Sequence, residues 1–340
     1  MEGLTRWLTI EQLSEAASYL RRGDVVAFPT ETVYGLGANA LDAEAVRRIF
    51  AAKGRPADNP LIVHCHDAAQ VATIVEPWDA VVQRLMDAFW PGPLTLVLTK
   101  KPHVPLVTTG GLTTAAVRIP DHTVALELIR SAGVPLAAPS ANRSGRPSPT
   151  RAEHVRDDLD GRIAAIVDGG PTGWGLESTV LDCTEVPFRL LRPGGVTVEQ
   201  LRSFAEVVTD PGVYQEPKGP VRSPGMKYKH YAPECTVIVV VGEGLSAKIK
   251  ELADNDAKDG KDVGVLAFSE HGGRYSGLLT LDLGSKYRLQ EGAARLYHLL
   301  READTLGLDT LYVEGMPDKE LGMAIMNRLR RAAGYRVIVT

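Results

Sequence analysis

Cysteine is scarce in this chain. Only Cys65, Cys183 and Cys235 occur among 340 residues. An odd number at wide spacing excludes a complete disulfide framework and points to a reducing, cytoplasmic compartment. Long apolar runs are missing too. No stretch approaches the roughly 20 residues that cross a bilayer, so no membrane partner is expected. The opening stretch MEGLTRWLTIEQLSEAA is acidic and amphipathic, without the basic and apolar regions of a signal peptide. Positive charge is not in excess either. With 38 Lys plus Arg against 42 Asp plus Glu, the formal net charge is −4. Generic attraction to nucleic acid is therefore not supported, although a local basic patch stays open.

Several catalytic signatures are absent. There is no G-x-x-x-x-G-K-[ST], no G-x-S-x-G elbow and no workable Ser/His/Asp order. Two stretches imitate known sites. GLGANA (Gly35 to Ala40) matches a dinucleotide pattern, but no acidic residue ends a second strand at the usual distance. HCH (His64, Cys65, His66) resembles a metal cluster. Neighbours on a strand point to opposite faces, so Cys65 cannot join the two histidines. No CxxC or HxxxH partner appears, and no protein-held metal is expected.

What is present reads as an ordinary globular chain, 44% hydrophobic and 24% charged. TIEQLSEAASYLRRG has a capping-box pattern at Thr9 and Gln12, with Leu13, Ala16, Ala17 and Leu20 on one helical face. DAEAVRRIFAAKG is a second helix, capped by Asp42 and burying Val46, Ile49 and Phe50. DAVVQRLMDAFW places Val82, Leu85, Met86 and Phe89 together. The strand-like stretches LTLVLT, AAVRI, PLAAPS, AAIVD, STVLD and FRLLR follow in close order, with helices near 122–132 and 150–160. The expected fold class is α/β, with a twisted mixed sheet over residues 1–207. Residues 208–234 contain five prolines and no apolar period, and read as a linker. From TVIVVVG onward strands and helices alternate again, giving a smaller Rossmann-like domain over 235–340. Its VGEGLSAK carries no phosphate fingerprint and reads as glycine punctuation.

Four constellations carry polar chemistry. PTETVYGLG (29–37) follows a buried strand with three hydroxyls, a carboxylate and two glycines. It is either a turn satisfying its own backbone or a pocket with Thr30 and Thr32 as donors. KGRPADNPL (53–61) puts Lys53 and Arg55 at a helix C-terminus, where cations favour the dipole. A point charge beside a forked guanidinium also suits a phosphate chain. PSANRSGRPSPT (139–150) follows an apolar strand with Ser140, Asn142, Ser144, Ser148, Arg143 and Arg146. It is either a solvated turn or a phosphate- or ribose-binding loop. Arg118 in AAVRIP is costly inside an apolar strand unless paired, by a carboxylate of the protein or of a ligand. GLESTV (Ser178) and LLRPG (Arg192) repeat the pattern of a polar group at a strand edge.

Taken in order, FPTETVYGLG, KGRPADNPLIVH, WPGPLT, VRIP, APSANRSGRPSPT, DGG, ESTV, RPG and SPGMKYKHYAP resemble the threonylcarbamoyl-AMP synthase family (YrdC/YwlC-like). The resemblance is to its long form with an appended C-terminal domain, and it covers essentially the whole chain. It implies synthesis of L-threonylcarbamoyladenylate from L-threonine, bicarbonate or CO2, and ATP, with release of pyrophosphate. Mg2+ would accompany the ATP. A separate transferase complex would then modify the adenosine beside the tRNA anticodon, and direct tRNA contact is an open partner. By the same resemblance Lys53 and Arg55 are catalytic. ATP would meet Arg55, Asn59, Thr114, Ser140, Asn142, Ser148, Arg192 and Tyr231. Threonine would meet Thr32, His64, Arg118, the backbone at Ala138, and Ser178. The stretch 223–233 would cover the cavity as a lid, with Lys227, Lys229 or His230 as further nucleotide contacts. The competing reading is a non-catalytic module that binds tRNA or double-stranded RNA. The acidic balance and the lack of an RNA-reading aromatic motif weigh against it. An accessory carbamoyl-transfer domain, as in hydrogenase-maturation proteins, would bring zinc-finger and acylphosphatase modules that this sequence lacks.

Overall fold

The computed structural model describes residues 4–216 and 231–340. Two units result. Residues 4–144 and 148–213 form the first; Gly145–Pro147, Tyr214–Glu216 and 231–340 form the second. Lys227, Lys229, His230 and most of the expected lid lie outside the described residues. Among the described residues no helix is long and apolar enough to cross a membrane.

In chain order the first unit runs β1 (Arg6–Leu8), α1 (Leu13–Arg21), β2 (Val26–Phe28), β3 (Gly35–Asn39), α2 (Ala43–Lys53), β4 (Ile62–His64), α3 (Ala68–Ile74), α4 (Ala80–Phe89), β5 (Leu94–Thr99), β6 (Thr114–Arg118), α5 (Thr123–Ala132), β7 (Leu136–Ala137), α6 (Ala152–Leu159), β8 (Ala165–Val167), β9 (Thr179–Asp182), β10 (Phe188–Arg192), α7 (Val198–Arg202) and β11 (Val207–Thr209). α2 starts where its cap predicts, whereas the Thr9 capping box opens a 3-10 turn ahead of α1. Gln12 Oε1 accepts from Thr9 N at 3.0 Å, and a 3-10 turn over Ile10–Gln12 leads into α1. That helix buries Ala16, Ala17 and Leu20 as expected. Asp42 accepts from the N–H groups of Glu44 and Ala45 at 2.9 and 3.3 Å and starts α2. Gly54 ends α2 in the left-handed region at φ 62°, where glycine carries no Cβ penalty.

The strands form one eleven-stranded sheet in the order β1-β8-β2-β3-β7-β4-β6-β5-β9-β10-β11. Parallel and antiparallel neighbours mix, which matches the expected mixed sheet: β4 and β6 run parallel, whereas β3, β7 and β4 run alternately. One layer of core lies under α1 and α5, where Leu20, Phe28, Leu128 and Leu136 meet. On β6 the two-residue period places Thr114, Ala116 and Arg118 on one face. Ile62, Val97, Ala116, Val180 and Leu191 cluster into an apolar floor there.

The second unit continues with β12 (Thr236–Val241), α8 (Leu245–Lys258), β13 (Val263–Ala267), β14 (Leu279–Asp282), α9 (Leu289–Thr305), β15 (Thr310–Glu314), α10 (Glu320–Ala332) and β16 (Val337–Val339). All five strands are parallel, in the order β14-β13-β15-β12-β16. The alternating α/β pattern is the expected one. Counted from β12, however, the order is 3-2-4-1-5 rather than the 3-2-1-4 order of dinucleotide-binding sheets. Right-handed crossovers fix the faces. The chain moves toward one edge after β12 and toward the other after β14 and β15. Accordingly α8 covers one face through Ile249 and Ala253, while α9 and α10 pack together on the opposite one.

Replacing the cap that starts α2 tests this local reading. Asp42→Ala should lower unfolding free energy by about 1 kcal/mol, read as a shift in the urea midpoint with an unchanged slope.

Candidate active site

Three groups of buried polar side chains stand on the first unit. The first is built on the parallel register that sets His64, the last residue of β4, beside Arg118, the last of β6. Arg118 is only 2% exposed. Its Nη1 donates to the Glu31 carboxylate, and its Nη2 donates to Thr32 Oγ1 at 3.3 Å and to His64 Nε2 at 3.1 Å. The loop that carries Glu31 is held by Thr30. Its hydroxyl donates to Val33 O at 2.6 Å and receives the N–H groups of Thr32 and Val33. Two buried atoms of this group have no hydrogen-bond partner: Glu31 Oε2 and Arg118 Nε. Buried polar atoms are nearly always paired, so an open acceptor and an open donor in one cluster make it a candidate ligand site.

His64 is held as a neutral ring. Its Nδ1 lies 3.2 Å from Ile62 O, so Nδ1 carries the proton and Nε2 accepts from Arg118. Burial, and then the Arg118 charge, push its pKa well below the ordinary imidazole value. Burial also lowers the Arg118 pKa against the pull of Glu31. A guanidinium nevertheless stays charged at any physiological pH.

The second group surrounds Lys53 at the end of α2, which is 4% exposed. Its ammonium donates to Ser140 O and to Asn142 O, the latter at 2.6 Å. Ser140 Oγ donates to Asn142 Oδ1. This loop lies alongside the 29–37 stretch: Leu36 N donates to Pro139 O, Ala141 N to Tyr34 O and Tyr34 N to Pro149 O, all within 2.9 Å. Two stretches separated by a hundred residues thus form one wall. Arg55 stacks over the Phe50 ring at 5.9 Å and is 8% exposed, while Asn59 is fully buried.

The third group joins the ends of β9 and β10. Arg192, 5% exposed, donates from Nε to Ser178 O at 3.0 Å and from Nη2 to Ser178 Oγ at 3.2 Å. Thr95 Oγ1 lies 2.8 Å from the same hydroxyl. Next in sequence, Glu177 accepts from the buried Ser148 hydroxyl. Gly194 lies so close that a Cβ would come within 2.4 Å of Thr179 N, so only glycine permits this approach.

The structure therefore brings Thr32, His64 and Arg118 together, then Lys53, Ser140 and Asn142, then Ser178 and Arg192. Ala138 lies on the same sheet, its N–H on Ile62 O at 2.9 Å. Thr114 begins β6, about 13 Å of strand from Arg118 on the same face. Tyr231 belongs to the second unit, where it is 4% exposed; its ring lies 5.4 Å from that of Tyr297 and under Arg328. Sequence reasoning missed Glu31, Glu177 and Thr95. A carboxylate next to Thr30 and Thr32 was the available signal for Glu31. Nothing marked Thr95 inside LTLVLT. Burial raises all three thiols, Cys235 to about 12, so none is poised as a nucleophile. Among the described residues no three His, Cys, Asp or Glu side chains stand together as metal ligands.

Comparison with known proteins also divides the chain in two, although the C-terminal match begins inside the first unit and takes in α7 and β11. Residues 18–194 match the family described as "Telomere recombination" (Sua5, YciO and YrdC), and residues 196–334 match "Threonylcarbamoyl-AMP synthase, C-terminal domain". The chain is 51% identical to the threonylcarbamoyl-AMP synthase of Bacillus subtilis, over 96% of this chain and 94% of that protein. It is 39% identical to the enzyme of that name from Schizosaccharomyces pombe, over 96% of this chain and 89% of the other. The crystal structure of Pyrococcus abyssi Sua5 complexed with L-threonine aligns at a TM-score of 0.94 and 47% identity, covering 99% of this chain and 100% of that one.

Neutral His64 makes stability pH-dependent. Unfolded, the ring binds a proton near pH 6.5, which the folded site refuses. Its contribution is complete above that pH and falls on acidification, by about 1.4 kcal/mol per pH unit until the folded pKa is reached. Urea midpoints from pH 7 to pH 5 should drop, and His64→Asn should flatten the slope. An identical slope in the variant would place the titration elsewhere.

Proposed function

The chain belongs to the Sua5/YrdC family of threonylcarbamoyl-AMP synthases, and from that premise we propose how its buried polar groups make L-threonylcarbamoyladenylate. It is an ATP-using enzyme of the first step of tRNA threonylcarbamoyladenosine formation. The observation that carries the assignment of residues is the Arg118 group, with its open donor and open acceptor. A guanidinium is the side chain for bidentate carboxylate binding, and threonine brings one. Arg118 takes that carboxylate, with Thr32, His64, Ser178 and the backbone at Ala138 around it. Glu31 Oε2 suits the amine or hydroxyl of the same amino acid.

The chemistry asks for positioning rather than for a nucleophilic side chain. The threonine amine adds to CO2, supplied as bicarbonate, and loses a proton to give a carbamate. One carbamate oxygen then attacks the α-phosphorus of ATP. The new O–P bond forms as the bond to the β-phosphate oxygen breaks, and pyrophosphate leaves with the electron pair. Such a transfer is accelerated by alignment and by fixed positive charge. Lys53 and Arg55 supply that charge to the phosphates. Asn59, Thr114, Ser140, Asn142, Ser148 and Arg192 hold the rest of the nucleotide. For Tyr231 the support is the family resemblance alone. Magnesium, if it accompanies ATP, would neutralise part of the phosphate charge and would need few protein ligands, which suits a site whose nearby groups are cations, amides and hydroxyls. The product is a reactive mixed anhydride. It calls for a transferase complex that accepts it and a tRNA that receives the group.

Pyrophosphate release from ATP tests the assignment. It should require both L-threonine and bicarbonate, and fall at least a hundredfold in Lys53→Ala and in Arg55→Ala, measured at a temperature where melting curves show each variant folded, since Lys53→Ala also leaves two loop carbonyls unpaired. Release that ignores threonine would overturn the reading. Serine differs from threonine by one methyl, which a pocket reads with only about 1–3 kcal/mol. The kcat/KM for serine should thus be about 10–200-fold lower. Equal values for the two would mean that no methyl pocket exists.

A further inference from the structure

The second unit has a crevice of its own. The chain leaves β12 toward one edge of the parallel sheet and β15, its neighbour, toward the other. Their connections therefore leave the shared carboxyl edge on opposite faces of the sheet, and such a switch point is where open α/β sheets bind ligands. A cavity of about 640 Å³ opens there, lined by Gly244, Ser246, Lys250, His271, Arg274 and Lys286. That volume is within the usual range for small-molecule sites.

The lining is cationic, and its cations come from three separate segments. Arg274 follows β13, Lys286 precedes α9 and Lys250 lies on α8. Among the described residues Lys250 is paired with Asp254 at 2.6 Å, whereas Arg274 and Lys286 have no ion pair, although the Glu270 carboxylate, 3.1 Å from Lys286 N, feels the Lys286 charge. Arg274 Nη1 donates to Ser246 Oγ at 3.2 Å, and Lys286 Nζ lies 3.4 Å from His271 Nε2. Beneath them Glu314 ends β15, fully buried. Its carboxylate is taken up by Tyr275 Oη, His271 Nδ1, Ser246 Oγ and Phe268 N. That carboxylate fixes the ring and the hydroxyl from below and leaves Arg274 and Lys286 facing the crevice. The amino end of α8, a 14-residue helix, points there as well. It has no side-chain cap and begins at Gly244 with φ 79°. An uncapped helix N-terminus attracts negative charge through its N–H groups and its dipole.

We propose that this crevice is a binding site for a phosphate-bearing small molecule, held by Arg274, Lys286 and the amino end of α8. The glycines of VGEGLSAK then allow the turn to approach the anion closely. A small molecule fits better than a nucleic acid backbone. The charges converge on one cavity, whereas a backbone-tracking surface spreads them along a stripe. The proposal stands apart from the synthase reading, since none of its residues belongs to the first unit.

Calorimetric titration of the full chain with inorganic pyrophosphate, and separately with AMP, tests it against the double variant Arg274→Gln/Lys286→Gln. At least one probe should show a bound equivalent that the variant loses or binds at least tenfold more weakly. Both side chains reach the surface, so the melting temperature should hold; Lys286→Gln alone serves if it does not. A tungstate soak of crystals should give an anomalous peak within the crevice. Identical isotherms for both proteins with both probes would overturn the proposal. So would a tRNA that loses affinity in the variant while neither small probe binds.

Discussion

A buried guanidinium needs a counter-charge, and much of the first unit is arranged to supply one to Arg118. A cation removed from water without a partner costs several kcal/mol. Glu31 meets the charge, but only because Thr30 fixes the turn that carries it. The turn in turn depends on β2 and β3 pairing antiparallel on either side of it. His64 can accept from Arg118 only as a neutral ring with its proton on Nδ1, and that follows from the register of β4 with β6. Losing any one of these leaves a charge or a lone pair stranded in a dry site. The candidate site and the local fold are therefore one problem with one solution.

The other two groups show the same economy. Lys53 is satisfied by the carbonyls of the loop that also carries Ser140 and Asn142. Arg192 is satisfied by Ser178. Each cation thus helps to shape the wall it stands in. Donors whose positions are fixed before the substrate arrives need little rearrangement when charge develops during reaction, which is the condition for strong electrostatic stabilisation.

Helices were legible in the sequence because their signals are local. Asp42, the apolar period of α2 and Gly54 all lie within one short stretch. α3 escaped because seven residues after Asp67 are too few to display a period. The sheet order was not legible. β7 has only two residues, yet it joins β3 to β4 and so holds two halves of the sheet together. Nothing in LA predicts that. For the candidate site, a helix end singled out Lys53 and strand ends singled out Arg118, Ser140 and Arg192, whereas the pairings did not follow. Glu31 and Arg118 are 87 positions apart, and only the folded register makes them neighbours.

The second unit makes the same distinction from the other side. VGEGLSAK reads as plain punctuation because it lacks the spacing of a phosphate fingerprint. A switch point, however, is a property of strand order and not of any one stretch. In the order 3-2-4-1-5 the carboxyl end of the first strand stands next to that of the fourth, so the glycine turn faces Glu314 and the segments that bring His271, Arg274 and Lys286. In the 3-2-1-4 order β12 would still adjoin β15 but would separate it from β13, so the segment that brings His271 and Arg274 would no longer start beside Glu314. Charge convergence here is thus created by topology, which is why a motif search passes over it and a reading of the sheet does not.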